Sequence, residues 1–172
     1  MSKRKPVIAG NWKMNKNIQE TQDFLAGLSP EIHQNDSVEM IICSSFISLP
    51  TLQTGLKNSQ INWGAQNFYH EPKGAFTGEV SAEMLKGCGC THVIIGHSER
   101  REYFQESDVL VNLKVKAALE SGLNPILCIG ESLSEREAGG FEDKLLSQVE
   151  LGLAGIQING SNVERIMIAY EP

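Results

Sequence analysis

The chain has 172 residues, of which 41% are hydrophobic and 21% charged, a composition typical of one globular domain with a sizeable core. Lysine and arginine number 15 against 21 aspartates and glutamates, giving a net charge of −6, which argues against nucleic acid or an anionic membrane as partner. No apolar stretch is long enough to span a bilayer, and no secretory signal is recognised behind Lys3, Arg4 and Lys5, which we expect to form a solvated tail.

The cysteines show no pattern of a metal site or a redox pair. Cys43 and Cys128 lie inside apolar runs, and Cys88 and Cys90 are too close for a C-x-x-C motif. We therefore predict four reduced thiols, no metal ligand, and a cytoplasmic location.

Short apolar runs alternate with amphipathic runs in the first half of the chain. Strands are predicted at "PVIAGN", "VEMIIC" and "INWGAQN". The helical spacing of Ile18, Thr21, Phe24, Leu25 and Leu28 predicts a helix after the first strand, and a short helical segment around Leu49 to Leu56 follows the second.

The second half begins with a long polar loop, "FYHEPKGAFTGE", before a helix near Ser81 to Lys86. Strands follow at "THVIIG", "NPILCIG" and "RIMIAY". Between them, Ser107 as N-cap and Gly122 as C′ residue delimit one helix. "SLSE" (Ser132 to Glu135) has the form of a capping box, and a further helix is indicated by the i+4 spacing of Phe141, Leu145, Val149 and Leu153.

Six strand–helix alternations predict an α/β fold with a parallel sheet and right-handed crossovers. The strands are nearly continuous apolar runs, as expected when both faces of a sheet are covered. Periodicity alone leaves open whether the sheet is doubly wound or part of a barrel.

Polar residues stand where the predicted strands end, and function in parallel α/β proteins gathers at those ends. Asn11 and Lys13 follow the first strand, His97 the fourth, and Glu171 the sixth. A carboxylate can remove a carbon-bound proton, while an imidazole, an amide and an ammonium stabilise the negative charge on a carbonyl oxygen. The set therefore suits proton transfer next to a carbonyl.

The segments "AGNWKMN", "IIGHSERR" and "AYEP", together with "GAFTGEVSAEMLK" and "ILCIGE", resemble the signatures of the triosephosphate isomerase family, and the resemblance runs from Pro6 to Pro172. It implies a (β/α)8 barrel that is cytoplasmic, homodimeric and free of cofactors. The implied reaction is a glycolytic aldose–ketose isomerisation, which interconverts dihydroxyacetone phosphate and glyceraldehyde 3-phosphate through an enediolate.

The resemblance also implies a role for each matching residue. Glu171 matches the catalytic base, His97 the electrophile, Lys13 the lysine that attracts phosphate and enediolate charge, and Asn11 the substrate-binding amide. Supporting positions are Ser98, a partner of the base; Glu99, which braces Lys13; and Cys128, a buried thiol near the base. A surface ion pair with Arg100 or Arg101 is the alternative for Glu99. The dimer interface implied by the resemblance comprises Met14, Asn15, Thr77, Gly78 and Glu79.

A complete enzyme of this kind has about 250 residues. Compared with the family, we expect residues 1–172 to form a single domain, a partial barrel of about six β/α units that lacks the lid loop and strands seven and eight. Strands one and six would then be exposed edges, and the chain would be inactive by itself. The alternatives are a non-catalytic fragment or split-barrel half that needs a complementary C-terminal piece or self-association, and another β/α enzyme of phosphorylated sugars.

Overall fold

A computed structural model describes residues 5–172, so Lys3 and Arg4 of the expected tail lie outside the described residues. Six strands form one parallel sheet in which the spatial order equals the chain order. They are β1 (Val7–Asn11), β2 (Glu39–Ser44), β3 (Ile61–Ala65), β4 (His92–Ile95), β5 (Asn124–Ile129) and β6 (Met167–Tyr170). All six predicted strands are therefore confirmed.

Helical segments connect each strand to the next. The helices are α1 (Ile18–Ala26), α2 (Pro30–Gln34), α3 (Leu49–Gly55), α4 (Ala82–Gly87), α5 (Ser98–Phe104), α6 (Asp108–Glu120), α7 (Leu133–Ala138), α8 (Phe141–Gly152) and α9 (Gly160–Arg165), with a 3₁₀ turn at Phe46–Ser48. Sequence patterns predicted α1, α3, α4, α6, α7 and α8 but did not delimit α2, α5, α9 or the 3₁₀ turn, which are short and lack a clear helical period.

The predicted helix caps are present. The Ser107 hydroxyl accepts a hydrogen bond from the backbone N–H of Leu110 and so caps α6. At α7, Ser132 and Glu135 form the reciprocal capping box. Because these bonds satisfy backbone donors that have no partner inside the helix, they determine where each helix begins.

The sheet is curled, as part of a (β/α)8 barrel with six units. Side chains of β2 (Ile41, Cys43) share one buried cluster with Ile94 of β4 and with Ile126 and Cys128 of β5. Strands that are not neighbours in the sheet can meet on one face only if the sheet bends around that face. Alternate residues of the same strands, such as Val93 and Leu127, pack outward against the helices, so both faces of the central strands are buried, as predicted.

Strands β1 and β6 are the two edges of this sheet within the described residues. Their apolar side chains are correspondingly open: Ile8 is 65% exposed and Ile168 is 49% exposed. The expectation of two exposed parallel edges is therefore confirmed.

At the opposite end of the sheet from the strand-end residues, His92 opens β4 and is only 1% exposed. Its ring contacts Thr91 Oγ1 at 2.8 Å, Asn124 Nδ2 at 3.3 Å and the carboxylate of Glu39 at 3.4 Å. Burial lowers the pKa of His92 from 6.5 to about 4, because the charged imidazolium would lose its hydration.

The buried His92 is expected to make the protein less stable in acid. The pKa of His92 is lower in the folded than in the unfolded chain. The contribution of the neutral ring to the free energy of unfolding is therefore fully present above pH ~6.5 and is lost as the pH falls toward 4. We expect the free energy of unfolding to fall by about 2–3 kcal/mol between pH 7.5 and 4.5 because of this residue. Urea unfolding at both pH values should show this loss for the wild-type chain and for His33→Gln, but not for His92→Gln. An equal loss of unfolding free energy in all three chains would contradict its attribution to His92.

Candidate active site at the carboxyl ends of the strands

Strand-end residues from distant parts of the sequence meet at one end of the sheet. Asn11 ends β1, Lys13 follows it by two residues, and His97 follows β4. Together they line a cavity of about 320 Å³, whose wall also includes Ser45, Gln66 and Glu99. The predicted gathering of an amide, an ammonium and an imidazole is therefore observed.

His97 and Glu171 are in direct contact. The His97 Nε2 atom lies 2.8 Å from Glu171 Oε1, and the ring is buried with an 8% exposed side chain. His97 Nδ1 accepts a hydrogen bond of 3.2 Å from the backbone N–H of Glu99. Because a backbone N–H can only donate, Nδ1 is the acceptor in this bond, and Nε2 is the ring nitrogen placed to donate to Glu171.

Glu171 is held at three points. Its second carboxylate oxygen, Oε2, accepts a bond of 3.0 Å from the backbone N–H of Ser98, so the predicted Ser98 contact runs through the main chain. Its own backbone N–H donates to the Ile129 carbonyl at 2.8 Å. The carboxylate therefore has two donors, and its backbone is an extension of the β5–β6 pairing.

Lys13 has an unusual backbone conformation and a fixed ammonium group. Its φ of 53° lies in the left-handed region, which costs energy for a residue with a side chain. The Lys13 Nζ atom lies 2.8 Å from Glu99 Oε1. Through this bond Glu99 raises the pKa of Lys13, and Lys13 lowers the pKa of Glu99, so both groups stay charged near neutral pH.

Glu99 does not form the alternative ion pair with Arg100 or Arg101. Arg100 pairs instead with Glu106 at 3.0 Å, and Arg101 pairs with Asp108 at 2.6 Å. Glu99 is thus the partner of Lys13 across the strand ends, rather than of its neighbours on α5.

Gln66 supports Lys13 and was missed by the sequence analysis. Its side-chain amide donates to the Lys13 carbonyl at 2.9 Å and to the Cys43 carbonyl at 3.1 Å. These bonds connect the strained lysine backbone to the end of β2. The signal in the sequence was its position directly after β3, at a strand end like those of Asn11 and His97.

Cys128 lies in the inner cluster beside the strand that leads to Glu171. It is 2% exposed and pairs in register with Ala169 of β6. Burial raises the pKa of its thiol, and it likewise raises that of Cys43 to about 12. All four cysteines are free thiols, and these two act as small apolar side chains in the core.

The residues expected at a dimer interface lie at the surface. Met14 is 96% exposed and borders the cavity. Asn15 donates to the Trp12 carbonyl at 2.7 Å. The loop that contains Thr77, Gly78 and Glu79 is exposed from residue 71 through residue 79, and these three residues do not line the cavity.

A second polar cluster, also not predicted, stands beside the last strand. The buried Glu131 accepts a bond of 2.8 Å from the Tyr170 hydroxyl and pairs with Arg136 at 2.5 Å. Burial opposes ionisation of Glu131, but the bonds from Tyr170, the backbone and Arg136 outweigh it and lower the pKa. Tyr170 immediately precedes Glu171, so this cluster anchors the strand that presents the carboxylate.

Residues 5–172 contain neither a cluster of metal ligands nor a membrane-spanning helix. No group of three or more His, Cys, Asp or Glu side chains there is arranged to hold a metal ion. No helix in that range combines the length and apolar character needed to cross a membrane.

The chain is similar to known proteins along nearly its whole length. A family model described as triosephosphate isomerase matches residues 6–172. A protein named triosephosphate isomerase from Alkaliphilus metalliredigens is 49% identical to this chain, and the match covers 98% of this chain and 67% of the relative. A protein of the same name from Finegoldia magna is 51% identical, and the match covers 98% of this chain and 66% of the relative. A crystal structure of triosephosphate isomerase from Bartonella henselae has a TM-score of 0.86 at 42% identity, covering 98% of this chain and 67% of that one. The chain thus spans about two thirds of the length of these relatives.

Proposed function

Because this chain belongs to the triosephosphate isomerase family, we propose that its strand-end site is built to interconvert dihydroxyacetone phosphate and glyceraldehyde 3-phosphate through an enediolate. The observation that carries the proposal is the 2.8 Å contact between His97 Nε2 and Glu171 Oε1, beside the ammonium of Lys13. A base, a hydrogen-bond donor and a positive charge are the three groups that this reaction needs.

Glu171 is the proposed base. Its carboxylate would take a proton from the carbon next to the substrate carbonyl and return it to the former carbonyl carbon, while a hydroxyl proton passes, by way of His97, from the oxygen of the first carbon to that of the second. In the structure both oxygens are occupied, one by His97 and one by the N–H of Ser98. A bound substrate must therefore replace the contact with His97, so that the carboxylate reaches carbon instead of nitrogen.

His97, Asn11 and Lys13 are the proposed stabilisers of the enediolate. The Nε2–H of a neutral His97 would donate to the substrate oxygen on which negative charge develops, and Asn11 offers an amide on the same cavity wall. The Lys13 side chain is 52% exposed, and its charge is held in place by Glu99. It can therefore attract both an entering phosphate and the developing oxyanion.

We expect negligible full turnover from the 172 residues assayed by themselves. The sheet edges β1 and β6 are unpaired within the described residues, which leaves the interior beside the site open to water. About one third of the length of the relatives has no counterpart in this sequence. These edges also favour an alternative function, a split-barrel half that becomes active when strands from a complementary piece, or from a second copy, pair with them.

The test separates proton abstraction from complete turnover. Dihydroxyacetone phosphate is incubated with the chain in D₂O, and loss of the NMR signal of its exchangeable carbon-bound hydrogen is followed. The proposal predicts exchange faster than in buffer. Exchange at the buffer rate with a folded chain would contradict a working site in these residues. If faster exchange then appears when a polypeptide with the remaining strands of the family is added, the split-barrel alternative is supported.

The partner we propose is a second copy of this chain, in the cytoplasm, with Met14, Asn15, Thr77, Gly78 and Glu79 at the interface. Support comes from the 96% exposure of Met14 and from the exposed loop at residues 71–79. An apolar side chain so open to water is stabilised when a partner surface covers it.

Met14→Glu is expected to dissociate this dimer. Burying an unpaired carboxylate in an interface should weaken association by roughly 100-fold or more. Sedimentation velocity across a concentration series measures the effect, and Leu133→Glu, which changes an apolar residue that is 72% exposed on α7, is the matched control. A wild-type chain that stays monomeric at every concentration would contradict the proposal.

A further inference from the structure

We propose that Arg101 is a positioning residue, whose guanidinium sets where the ring of His97 lies relative to Glu171. It does so by joining the turn before His97 to strand β5. The inference rests on the proposed function for the catalytic roles of His97 and Glu171, while the positioning itself rests on contacts of Arg101 with the main chain.

The guanidinium stands where pairing between two strands stops. The last pair of residues in register between β4 and β5 is Ile95 with Leu127. The next position on each strand is Gly96 and Cys128. Arg101 Nε donates to the Gly96 carbonyl at 2.7 Å, and Arg101 Nη2 donates to the Cys128 carbonyl at 3.3 Å. The side chain therefore continues the connection between the strands beyond the end of their ladder.

Each carbonyl held by Arg101 leads directly to one member of the catalytic pair. Gly96 precedes His97 in the chain. Cys128 pairs with Ala169 of β6, and the next residue of β5, Ile129, accepts the backbone N–H of Glu171 at 2.8 Å. One side chain thus links the backbone that carries the imidazole to strand β5, which in turn pairs with the backbone that carries the carboxylate.

Asp108 fixes the orientation of the guanidinium. Its Oδ1 atom lies 2.6 Å from Arg101 Nη1, and it is the first residue of α6, whose start is capped by Ser107. The Arg101 side chain is only 18% exposed. A planar guanidinium can donate to three acceptors in fixed directions, which the single ammonium of a lysine cannot do.

Gly96 fits this arrangement closely. Its φ of 73° is unfavourable for other residues, and a Cβ atom added there would lie 2.9 Å from Arg101 Nη2 and 3.0 Å from Val111. The backbone before His97 therefore approaches the guanidinium more closely than any residue with a side chain would allow. The backbone turn at Gly96 therefore packs directly against the Arg101 guanidinium.

The test observes the His97 ring directly in the full 172-residue chain. In a ¹⁵N-labelled sample, imidazole nitrogen spectra assigned with His97→Gln report which nitrogen carries the proton. The wild-type chain should show a protonated Nε2, an unprotonated Nδ1 and a protected Nε2–H signal. In Arg101→Gln, and also in Arg101→Lys, we expect that signal to be lost and the two nitrogen shifts to converge, because the ring no longer keeps its contact with Glu171.

Arg165→Gln is the matched control. Arg165 also donates to two backbone carbonyls, those of Leu119 and Leu123, but it belongs to α9, which precedes β6, at the opposite end of the sheet from His97. Its loss should lower stability without changing the His97 spectrum. A folded Arg101→Gln chain with wild-type ring signals would overturn the proposal, as would an equal change in Arg165→Gln.

A further variant, Asp108→Asn, tests the proposal without removing Arg101. Should Arg101→Gln fail to fold, Asp108→Asn keeps the guanidinium but removes its ion-pair partner, and unchanged ring signals in that variant would overturn the proposal. The readout requires no turnover. Failure of the proposed function would show as substrate proton exchange that does not depend on Glu171, whereas failure of this inference would show as a His97 ring insensitive to Arg101 and Asp108.

Discussion

Glu171→Gln is expected to slow removal of the substrate proton by about 10²–10⁴-fold, or to the buffer rate if that is reached first. An amide cannot take a proton from carbon at neutral pH. It also has one acceptor oxygen where the carboxylate has two, so it cannot accept from both His97 Nε2–H and the Ser98 N–H. The measurement is the deuterium exchange of dihydroxyacetone phosphate described above.

Two variants give this prediction its controls. Glu171→Asp keeps the charge but retracts the carboxylate by about one methylene, so its rate should fall between those of the wild type and the amide. Glu120→Gln removes an exposed glutamate at the end of α6 and should leave exchange unchanged. If the three variants and the wild type exchange at the same rate, Glu171 is not the base.

Glu106→Gln is expected to lower the free energy of unfolding by about 3–5 kcal/mol. Glu106 and Lys114 form an ion pair at 2.5 Å, with side chains only 2% and 3% exposed, respectively. Burial lowers the pKa of Lys114 despite this partner. Without the negative charge of Glu106, the buried ammonium loses its ion-pair partner although it keeps the hydrogen bond to the Asn67 side chain at 2.7 Å, and Arg100 loses its ion-pair partner as well.

A double substitution distinguishes a lost partner from a lost pair. Glu106→Gln combined with Lys114→Met should recover much of the stability, because no unpaired charge then remains buried. Lys144→Met, which breaks the exposed Lys144–Glu135 pair of 2.9 Å, should cost less than about 1 kcal/mol. Urea unfolding measures all four chains. A cost for Glu106→Gln no larger than that for Lys144→Met would contradict the importance of burial.

Local sequence was sufficient for the six strands and for the starts of the two capped helices, α6 and α7. Each predicted strand is a run of apolar residues whose backbone partners are supplied by similar neighbouring runs, so its identity depends little on distant residues. The caps at Ser107 and Ser132 act within three or four residues of the helix start. The positions of Asn11, Lys13, His97 and Glu171 at strand ends followed from the same local pattern, together with the parallel order of the sheet.

Contacts among these side chains required the tertiary structure. Ser98 and Glu171 are 73 positions apart, and Lys13 and Glu99 are 86 positions apart. Whether Ser98 would act through its hydroxyl or its N–H, and which arginine would pair with which acid, could not be predicted. The same holds for Gln66, Arg101 and the buried Lys114, whose partners lie in other segments of the chain.

The sequence by itself therefore determined the strands, the main helices and the reactive groups at the strand ends, because these depend on interactions across a few neighbouring residues. The tertiary structure alone decided the distances between those groups. Distances of 2.8 Å between His97 and Glu171 and between Lys13 and Glu99 result from strand register and from the curl of the sheet. Both are set by packing across the whole domain, which local pattern does not encode.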